Sequence, residues 1–278
     1  MQRTFDIQAF LMSALQEDIG SGDITSAVVI PEQASGNYGF RAREDLVVAG
    51  SIFVPMLFSL LDERCKVELK VAEGDLIEAG ATIATIEGPV RAILAGERVA
   101  LNILQHLSGI ALITRAYVNA VAGTGAKIVD TRKTLPGWRE LQKYAVRCGG
   151  GHNHRMGLYD AVLIKDNHLA IAGSVEAAVK TAKQNVPFSS RVEVECDTLK
   201  QVEEAVAAGA DIVLLDNMDN ATLSKAVAIA KPKNVMTEAS GNVSLETVQA
   251  IAKTGVDVIS VGRLTHSVRA VDIGLDAA

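Results

Sequence analysis

The chain has 278 residues, 49% of them hydrophobic, which is enough for one large or two modest domains with apolar cores. Its formal net charge of −6 and aromatic content of 4% argue against a nucleic-acid-binding protein, which normally carries a basic surface with interleaved stacking residues. Its three cysteines lie far apart and form no CxxC pair, so neither a disulfide framework nor a thiolate zinc site is expected.

The N-terminal segment MQRTFDIQAFLMSALQEDIG has helical periodicity and lacks the basic start and apolar run of a signal peptide. The apolar stretch around SIFVPMLFSLL is shorter than the roughly 18 residues that a membrane span needs. We therefore expect a cytoplasmic protein without a membrane partner.

The rest of the first hundred residues contains short strands such as YGFRAR and LVVAG, then the Gly-rich stretch KVELKVAEGDLIEAGATIATIEGPVRAIL. This succession of short strands and glycine-centred turns resembles the hairpin modules that carry biotin or lipoate. No lysine lies at a hairpin tip between small or Met residues, so a structural turn pattern is the favoured interpretation. The helical stretch GERVALNILQHLSGIALITRAYVNAVAG follows and joins the two halves.

From about Ala126 onward, short β-branched runs alternate with amphipathic segments. The runs are AKIVDTR, DAVLIKD, RVEVECD, DIVLLDN, NVMTEAS and VDVISVG. This alternation predicts a parallel α/β sheet, either doubly wound or closed into a barrel. Roughly six or seven units fit, fewer than the eight of a complete barrel.

Each run ends in charged, polar or glycine residues, which is where parallel α/β folds place their chemistry. The candidates, two for each run, are Arg132 and Lys133, Lys165 and Asp166, Glu195 and Asp197, Asp216 and Asn217, Ser240 and Gly241, and Gly262 and Arg263. Taken singly, Asp197, Asp216 or Ser240 could equally be a helix cap. Six consecutive strands that end in this way favour one shared site. The small residues in EASGN and SVGR would let backbone N–H groups approach a phosphate.

The segment 130–168 has seven Lys and Arg residues against four Asp and Glu, with three of the five histidines. On an acidic chain, this local positive charge indicates a small anionic ligand. Two other interpretations stay open: Lys165 as a Schiff-base lysine, and the HNH sequence at 152–154 as a zinc ligand pair. Arg98 is expected in the first turn of the long helix, where the macrodipole disfavours a cation unless an anion binds there.

In order and spacing, several of these motifs resemble those of the quinolinate phosphoribosyltransferase family. The matching stretches are DTRKTLPG, KYAVRCGGGHNHRMGLYDAVLIKDNH, VEVECDT, DIVLLDN, EASGN and ISVGRLTHS, together with the earlier ALQEDIGSGDITS and GERVALNILQHLSGIA. The resemblance implies an N-terminal α/β sandwich domain, residues 1–109, with the tail 267–278 packed on it. An open, roughly seven-stranded α/β barrel, residues 110–266, would follow.

The implied reaction joins quinolinate to phosphoribosyl pyrophosphate with Mg²⁺, giving nicotinate mononucleotide, pyrophosphate and CO₂ in NAD biosynthesis. The resemblance also implies a homodimer or a multiple of dimers with a composite active site. Two alternative functions stay open: that of a paralogue with the same fold and another acceptor, and that of a non-catalytic binder of phosphorylated metabolites.

Residue by residue, the resemblance assigns a quinolinate pocket to Arg132, His154, Arg155 and Lys165, joined by Arg98 of a neighbouring subunit. Lys133 would contact phosphoribosyl pyrophosphate. Glu195 and Asp216 would lie at the ribose hydroxyls and hold Mg²⁺, so that catalysis would depend on Lys133, Lys165, Glu195 and Asp216. Ser240, Gly241 and Gly262 would hold the 5′-phosphate.

Overall fold

A computed structural model describes residues 5–277. The start of the predicted N-terminal helix (residues 1–4) and the last residue of the predicted tail lie outside this range. The first part of the chain contains α1 (Ile7–Ile19), α2 (Ile24–Val29), β1 (Ser35–Ala42), β2 (Leu46–Val47), α3 (Phe53–Leu61), β3 (Lys66–Leu69), β4 (Leu76–Ile77), β5 (Thr82–Pro89) and α4 (Val90–Ala120).

Strands and helices then alternate along the remainder of the described chain. They are β6 (Lys127–Val129), α5 (Arg139–Cys148), β7 (Val162–Ile164), α6 (Asp166–Ala172), α7 (Val175–Asn185), β8 (Val192–Cys196), α8 (Leu199–Ala208), β9 (Ile212–Asp216), α9 (Asn220–Ala230), β10 (Met236–Ser240), α10 (Val248–Ala252), β11 (Val258–Ser260), α11 (Arg263–His266) and β12 (Ile273–Ala277).

The chain forms two compact units. The first unit comprises the described residues up to Ile113, Glu140–Gly150 and the segment from Ser267. The second unit comprises Thr114–Arg139 and Gly151–His266. This grouping places most of α5 in the first unit, which its position in the sequence does not indicate. The domain boundaries after residues 109 and 266 stay predictions.

The first unit is built on an antiparallel sheet with the strand order β12-β1-β5-β3. In β12, Ile273 pairs with Ala42 and Ala277 pairs with Tyr38, so the C-terminal segment is an edge strand of this sheet. Phe40 of β1 and Phe58 of α3 are fully buried, and their ring centroids lie 6.2 Å apart. Burial of large aromatic rings of this kind is a main source of stability in a small core.

Helix α3 begins without a side-chain cap of its own. The segment directly before the helix, up to the N-cap residue Ile52, is instead held by Glu73, whose carboxylate accepts hydrogen bonds from the N–H groups of Gly50 at 2.7 Å and Ile52 at 3.2 Å. The same carboxylate accepts the Ser51 hydroxyl at 2.5 Å. Glu73 therefore satisfies N–H donors that a helix start would otherwise leave without partners.

Helix α4 begins at Val90, directly after β5. The expectation that Arg98 lies in the first turn of this helix is therefore wrong, because Arg98 is more than about two turns inside it. The macrodipole effect is confined to the first turn, so it supplies no argument for an anion at Arg98. The helix is long and apolar enough to cross a membrane, but 61% of its most apolar window is buried inside the protein.

The second unit contains a parallel sheet of six described strands, in the order β6-β11-β10-β9-β8-β7. Beside β6, His152 forms a single parallel bridge with Val129 and marks the place of a seventh strand. All six β-branched runs predicted as strands form this sheet. The buried Val192, Val194 and Val213 illustrate why, since helices cover one face of the sheet and side chains fill the other.

Candidate active site at the strand ends of the parallel sheet

The register of β8, β9 and β10 places four polar side chains on one face of the sheet, close to the strand ends. In the register of the neighbouring strands, Glu195 of β8 lies opposite Leu214 of β9. Asp216 pairs with Ser240, and Glu238 pairs with Leu214. Because side chains alternate between faces along a strand, Glu195, Asp216, Ser240 and Glu238 all share one face. The side chains predicted to form one shared site therefore do lie on one face of the sheet.

The helix-cap interpretation of these side chains does not hold. The helices that follow β8, β9 and β10 have Thr198, Asp219 and Thr247 at their N-cap positions. Thr198 and Asp219 accept N–H groups of the first helical turn, as capping residues do. Asp216 and Ser240 are thus available for another role.

Lys165, at the end of β7, forms an ion pair with Glu195 of β8. The lysine side chain is 43% exposed, whereas the Glu195 side chain is only 15% exposed. An ammonium group neutralised by a neighbouring carboxylate lacks the isolated, desolvated setting of a Schiff-base lysine. The pair instead presents a cation and an acceptor oxygen side by side at the edge of the site.

Two arginines lie close enough to repel each other. Burial lowers the pKa of Arg155, and the charge of Arg132 lowers it further. Arg139 joins the two loops, since its guanidinium donates to the carbonyl oxygens of Arg132 at 3.3 Å and Met156 at 3.1 Å. Two guanidinium groups held near each other by the protein form a site that an anion would stabilise.

Lys133 lies beside the loop that follows β11. A Cβ atom added at Gly262 would lie 3.1 Å from Cδ of Lys133 and 3.2 Å from Cδ2 of His266. The hydroxyl of Thr265 donates to the Lys133 carbonyl oxygen at 2.8 Å, which fixes the lysine backbone against α11. A larger residue here would have to displace the Lys133 or His266 side chain by a few tenths of an ångström.

At the end of β10, Gly241 has a φ of +96° and packs against Asn217. Asn217 donates from Nδ2 to the Asp216 carboxylate at 2.6 Å and accepts from Nδ2 of Asn242 at 3.1 Å. Asn217 and Asn242 themselves have φ values of 52° and 50°. The N–H of Asn217 already donates to the Ser240 carbonyl oxygen at 2.9 Å, so the turn at Gly241 and Asn242 is the part of this backbone that a phosphate could approach.

His154 connects this site to the interior of the sheet. Its Nε2 atom lies 3.3 Å from a carboxylate oxygen of Glu193 and 3.3 Å from one of Glu238. Its Nδ1 atom accepts the backbone N–H of Arg155 at 2.7 Å. Its own backbone N–H donates to Asp130 at 2.9 Å. The ring is therefore held on both nitrogen atoms.

Burial by itself lowers the pKa of His154, but hydrogen bonds and charge from Glu193 and Glu238 outweigh this and raise it to about 10. Burial also raises the pKa of Glu193. Since Nδ1 accepts a hydrogen bond, the retained protons lie on the Nε2 side, shared by the ring and the two carboxyl groups. The cluster as a whole keeps protons that its groups would lose in water.

The zinc interpretation of the HNH sequence is not supported in the form predicted. His152 is exposed, and its backbone pairs with Val129. Among the described residues, the possible metal-ligating group is His154 with Glu193 and Glu238, whose ligand atoms lie within 4.8 Å of one another. His152, the first histidine of the pair, takes no part in that group.

The second unit contains all of the predicted site residues except Arg98. His154 and Arg155 follow the isolated bridge at His152, and the others lie at or just after the ends of strands. Arg98 belongs to the first unit, where its side chain is exposed on α4.

Sequence reasoning did not assign a role to four residues that shape the site: Asp130, Glu193, Asn217 and Glu238. The alternation in VEVEC, with Glu193 two residues before Glu195, was the available signal, because it places both carboxylates on one face.

The comparisons with known proteins cover nearly the whole chain. Residues 23–108 match the family model described as the N-terminal domain of quinolinate phosphoribosyl transferase, and residues 110–276 match the model of its C-terminal domain. A probable nicotinate-nucleotide pyrophosphorylase [carboxylating] of Bacillus subtilis is 47% identical over 260 residues, covering 94% of this chain and 89% of that protein. The corresponding chloroplastic protein of Arabidopsis thaliana is 42% identical, covering 98% of this chain and 83% of that protein.

Solved structures show the same relationship. NadC from Streptococcus pyogenes has a TM-score of 0.94 at 39% identity and covers 100% of this chain and 99% of that one. The nicotinate-nucleotide pyrophosphorylase from Francisella tularensis has a TM-score of 0.91 at 41% identity, covering 100% and 98%.

Proposed function

This chain belongs to the quinolinate phosphoribosyltransferase family, and we propose that it transfers the phosphoribosyl group of phosphoribosyl pyrophosphate to quinolinate. The products are nicotinate mononucleotide, pyrophosphate and CO₂, which places the reaction in NAD biosynthesis. The observation that supports this most is that Arg132 lies near enough to Arg155 for its positive charge to lower the pKa of Arg155, while Arg139 links the two loops through the carbonyl oxygens of Arg132 and Met156. A dicarboxylate acceptor would relieve the repulsion between Arg132 and Arg155, and the planar guanidinium fork matches a carboxylate.

Phosphoribosyl pyrophosphate, the donor of the phosphoribosyl group, fits the other side of the site, at the same edge of the parallel sheet. Gly241, with its left-handed backbone, and Gly262, pressed against Lys133, suit close approach of a 5′-phosphate, with the Ser240 hydroxyl beside them. Lys133 would stabilise charge on the departing pyrophosphate. The carboxylates of Glu195 and Asp216 would meet the ribose hydroxyls and stabilise positive charge as the ribose becomes oxocarbenium-like.

In the transfer, the bond from ribose C1 to the pyrophosphate oxygen breaks and the pyridine nitrogen bonds to C1. The protein contributes by holding both reactants in line and by supplying fixed cations where negative charge develops. The ring nitrogen is then cationic, so the neighbouring carboxylate leaves as CO₂ and the ring carbon takes up a proton.

Mg²⁺ is proposed as the metal of this reaction, and the donor set fits it. Mg²⁺ is usually held by one or two carboxylates with water and substrate phosphate oxygens. Asp216 and the Glu195 oxygen not paired with Lys165 would hold it, and when bound it would neutralise pyrophosphate charge. Turnover should be lost in EDTA and restored by Mg²⁺, and Asp216→Asn should need more Mg²⁺ for half-maximal rate.

We also propose that Arg98 of a second copy of the chain completes the quinolinate pocket in a dimer or a multiple of dimers. Arg98→Ala subunits mixed with Lys165→Ala subunits should then regain activity, because one site of a mixed dimer receives both intact residues. If subunit exchange is demonstrated and no activity returns, Arg98 acts within its own chain.

The deciding experiment is turnover with phosphoribosyl pyrophosphate, Mg²⁺ and either quinolinate or nicotinate, with detection of product and CO₂. Quinolinate should be used and CO₂ released. Preferential use of nicotinate or another acceptor would favour a paralogue of the same fold. Tight binding of phosphorylated ligands without turnover would favour a non-catalytic binder. The cytoplasmic location stays a prediction from the sequence.

A further inference from the structure

We propose that Glu193 and Glu238 are positioning residues, which fix the imidazole of His154 and through it the backbone at Arg155 in the quinolinate pocket. The proposal rests on the function proposed above for that pocket. In this role His154, itself predicted to line that pocket, also links the interior of the sheet to the backbone of Arg155.

The two carboxylates lie in a layer directly beneath the site. Glu193 precedes Glu195 by two residues in β8, and Glu238 precedes Ser240 by two residues in β10, so each shares a face with its neighbour. Glu193 pairs with Ile212, and Glu238 pairs with Leu214 on the other side of β9. The pair therefore brackets β9 from its two neighbouring strands, on the same face as the catalytic carboxylates.

His154 is the shared partner of this buried pair. Glu193 is 3% exposed and Glu238 is 4% exposed, and each places one oxygen 3.3 Å from Nε2 of His154. The second oxygen of each carboxylate has no hydrogen-bond partner within the described part of the chain. Buried carboxylates with unsatisfied oxygens weaken a fold. Their presence therefore points to a purpose other than stability.

That purpose is orientation of the ring. With Nε2 held by two carboxylates and Nδ1 bonded to the Arg155 N–H at 2.7 Å, the imidazole cannot turn without losing contacts at both ends. Asp130 holds the same segment by accepting the N–H of His154 at 2.9 Å and Nδ2 of Asn153 at 2.5 Å. The Arg155 backbone is thus fixed by a chain of contacts that begins at Glu193 and Glu238.

Kinetic constants of Glu238→Gln and Glu238→Leu test the proposal, with Glu203→Gln on the exposed face of α8 as the matched control. Loss of the carboxylate should raise the KM for quinolinate about tenfold in Glu238→Leu and less in Glu238→Gln, which keeps an acceptor oxygen. The KM for phosphoribosyl pyrophosphate should stay within about twofold of wild type, and Tm should be unchanged or higher. Equal changes in both KM values, or none in either, would overturn the proposal. Glu193→Gln provides a second variant in case the Glu238 variants do not fold.

A spectroscopic measurement is independent of turnover, so it separates this proposal from the proposed function. In ¹⁵N-histidine-labelled protein, with the His154 signals assigned by their loss in His154→Gln, Nδ1 should be unprotonated and Nε2 protonated. In Glu193→Leu/Glu238→Leu the two tautomers should mix. An unchanged tautomer in that variant would overturn the proposal, as would a stoichiometric metal ion that is lost on Glu238→Gln. Absence of quinolinate turnover in the wild type, with the tautomer as expected, would count against the function alone.

Discussion

Replacing Gly241 by alanine should selectively damage the end of the site that we propose binds the 5′-phosphate. Gly241 has a φ of +96°, and an added Cβ would lie 2.1 Å from Oδ1 and 3.0 Å from the backbone N of Asn217. A separation of 2.1 Å is impossible for a real Cβ atom, so Asn217 must move. Its movement breaks the 2.6 Å bond to Asp216 and the 3.1 Å bond from Asn242.

The magnitude follows from two contributions. A left-handed conformation costs a residue with a side chain roughly 1–2 kcal/mol. The two hydrogen bonds of Asn217 are exposed, so water replaces most of their contribution and their loss adds at most about 1 kcal/mol. Gly241→Ala should therefore lower the free energy of unfolding by about 1–3 kcal/mol. The matched control is Gly209→Ala, which has a φ of +86° but no atom within 4 Å of the new Cβ. The free energy of unfolding of Gly209→Ala should fall only by the cost of the left-handed conformation, roughly 1–2 kcal/mol.

Urea unfolding and steady-state kinetics of both variants check this expectation. Gly241→Ala should raise the KM for phosphoribosyl pyrophosphate about tenfold or more, because at least one backbone donor to the phosphate is displaced. Its KM for quinolinate should stay within about twofold, and Gly209→Ala should keep both values. A wild-type KM for phosphoribosyl pyrophosphate in a folded Gly241→Ala protein would refute the assignment of this turn to the phosphate.

Lys165→Ala should lower kcat about 10–100-fold by removing a charge-assisted contact and leaving Glu195 unpaired, whereas Lys180→Ala, which removes the exposed Lys180–Glu176 pair, should leave kcat unchanged. Glu73→Ala should lower the free energy of unfolding in urea by about 1–3 kcal/mol with wild-type KM values, compared with little change for exposed Glu78→Ala. The cluster of His154, Glu193 and Glu238 keeps a proton up to a pKa of about 10, so the stability that this proton contributes is fully present below about pH 6.5 and declines as the pH rises towards 10. Urea unfolding at pH 7 and pH 9.5 should therefore show a larger loss of stability in wild type than in His154→Gln, and equal losses would contradict this.

The strand pattern of the second half was predictable because each strand is a short β-branched run bounded by polar residues. Runs such as DIVLLDN and RVEVECD are long enough to be buried on both faces and too short for helices. The functional side chains were therefore predicted to lie along one edge of the sheet, because parallel strands bring their carboxyl ends together. Lys165 and Glu195 are an example, because they belong to neighbouring strands and form an ion pair.

The start of α4 was predicted too late because Gly88 and Pro89, directly before Val90, were grouped with the Gly-centred turns that precede them. The chain passes from Pro89 of β5 into Val90 of the helix without a capping side chain that would mark the change. GERVALNILQ reads as helical on its own, so Arg98 seemed to lie near the start. The earlier turns, VRAILAG, become helical through burial of residues such as Ile93, which is fully buried.

The sequence by itself determined the family, the alternating strands and helices, and the identity of the groups at the strand ends. Each of these depends on local periodicity or on residue types at fixed spacing. Only the tertiary structure decided that Glu193 and Glu238 meet at Nε2 of His154, because their contact depends on the register of three strands and on the loop held by Asp130. A register is a relation between distant segments, and its energy comes from burial and hydrogen bonding that exist only once the sheet has formed.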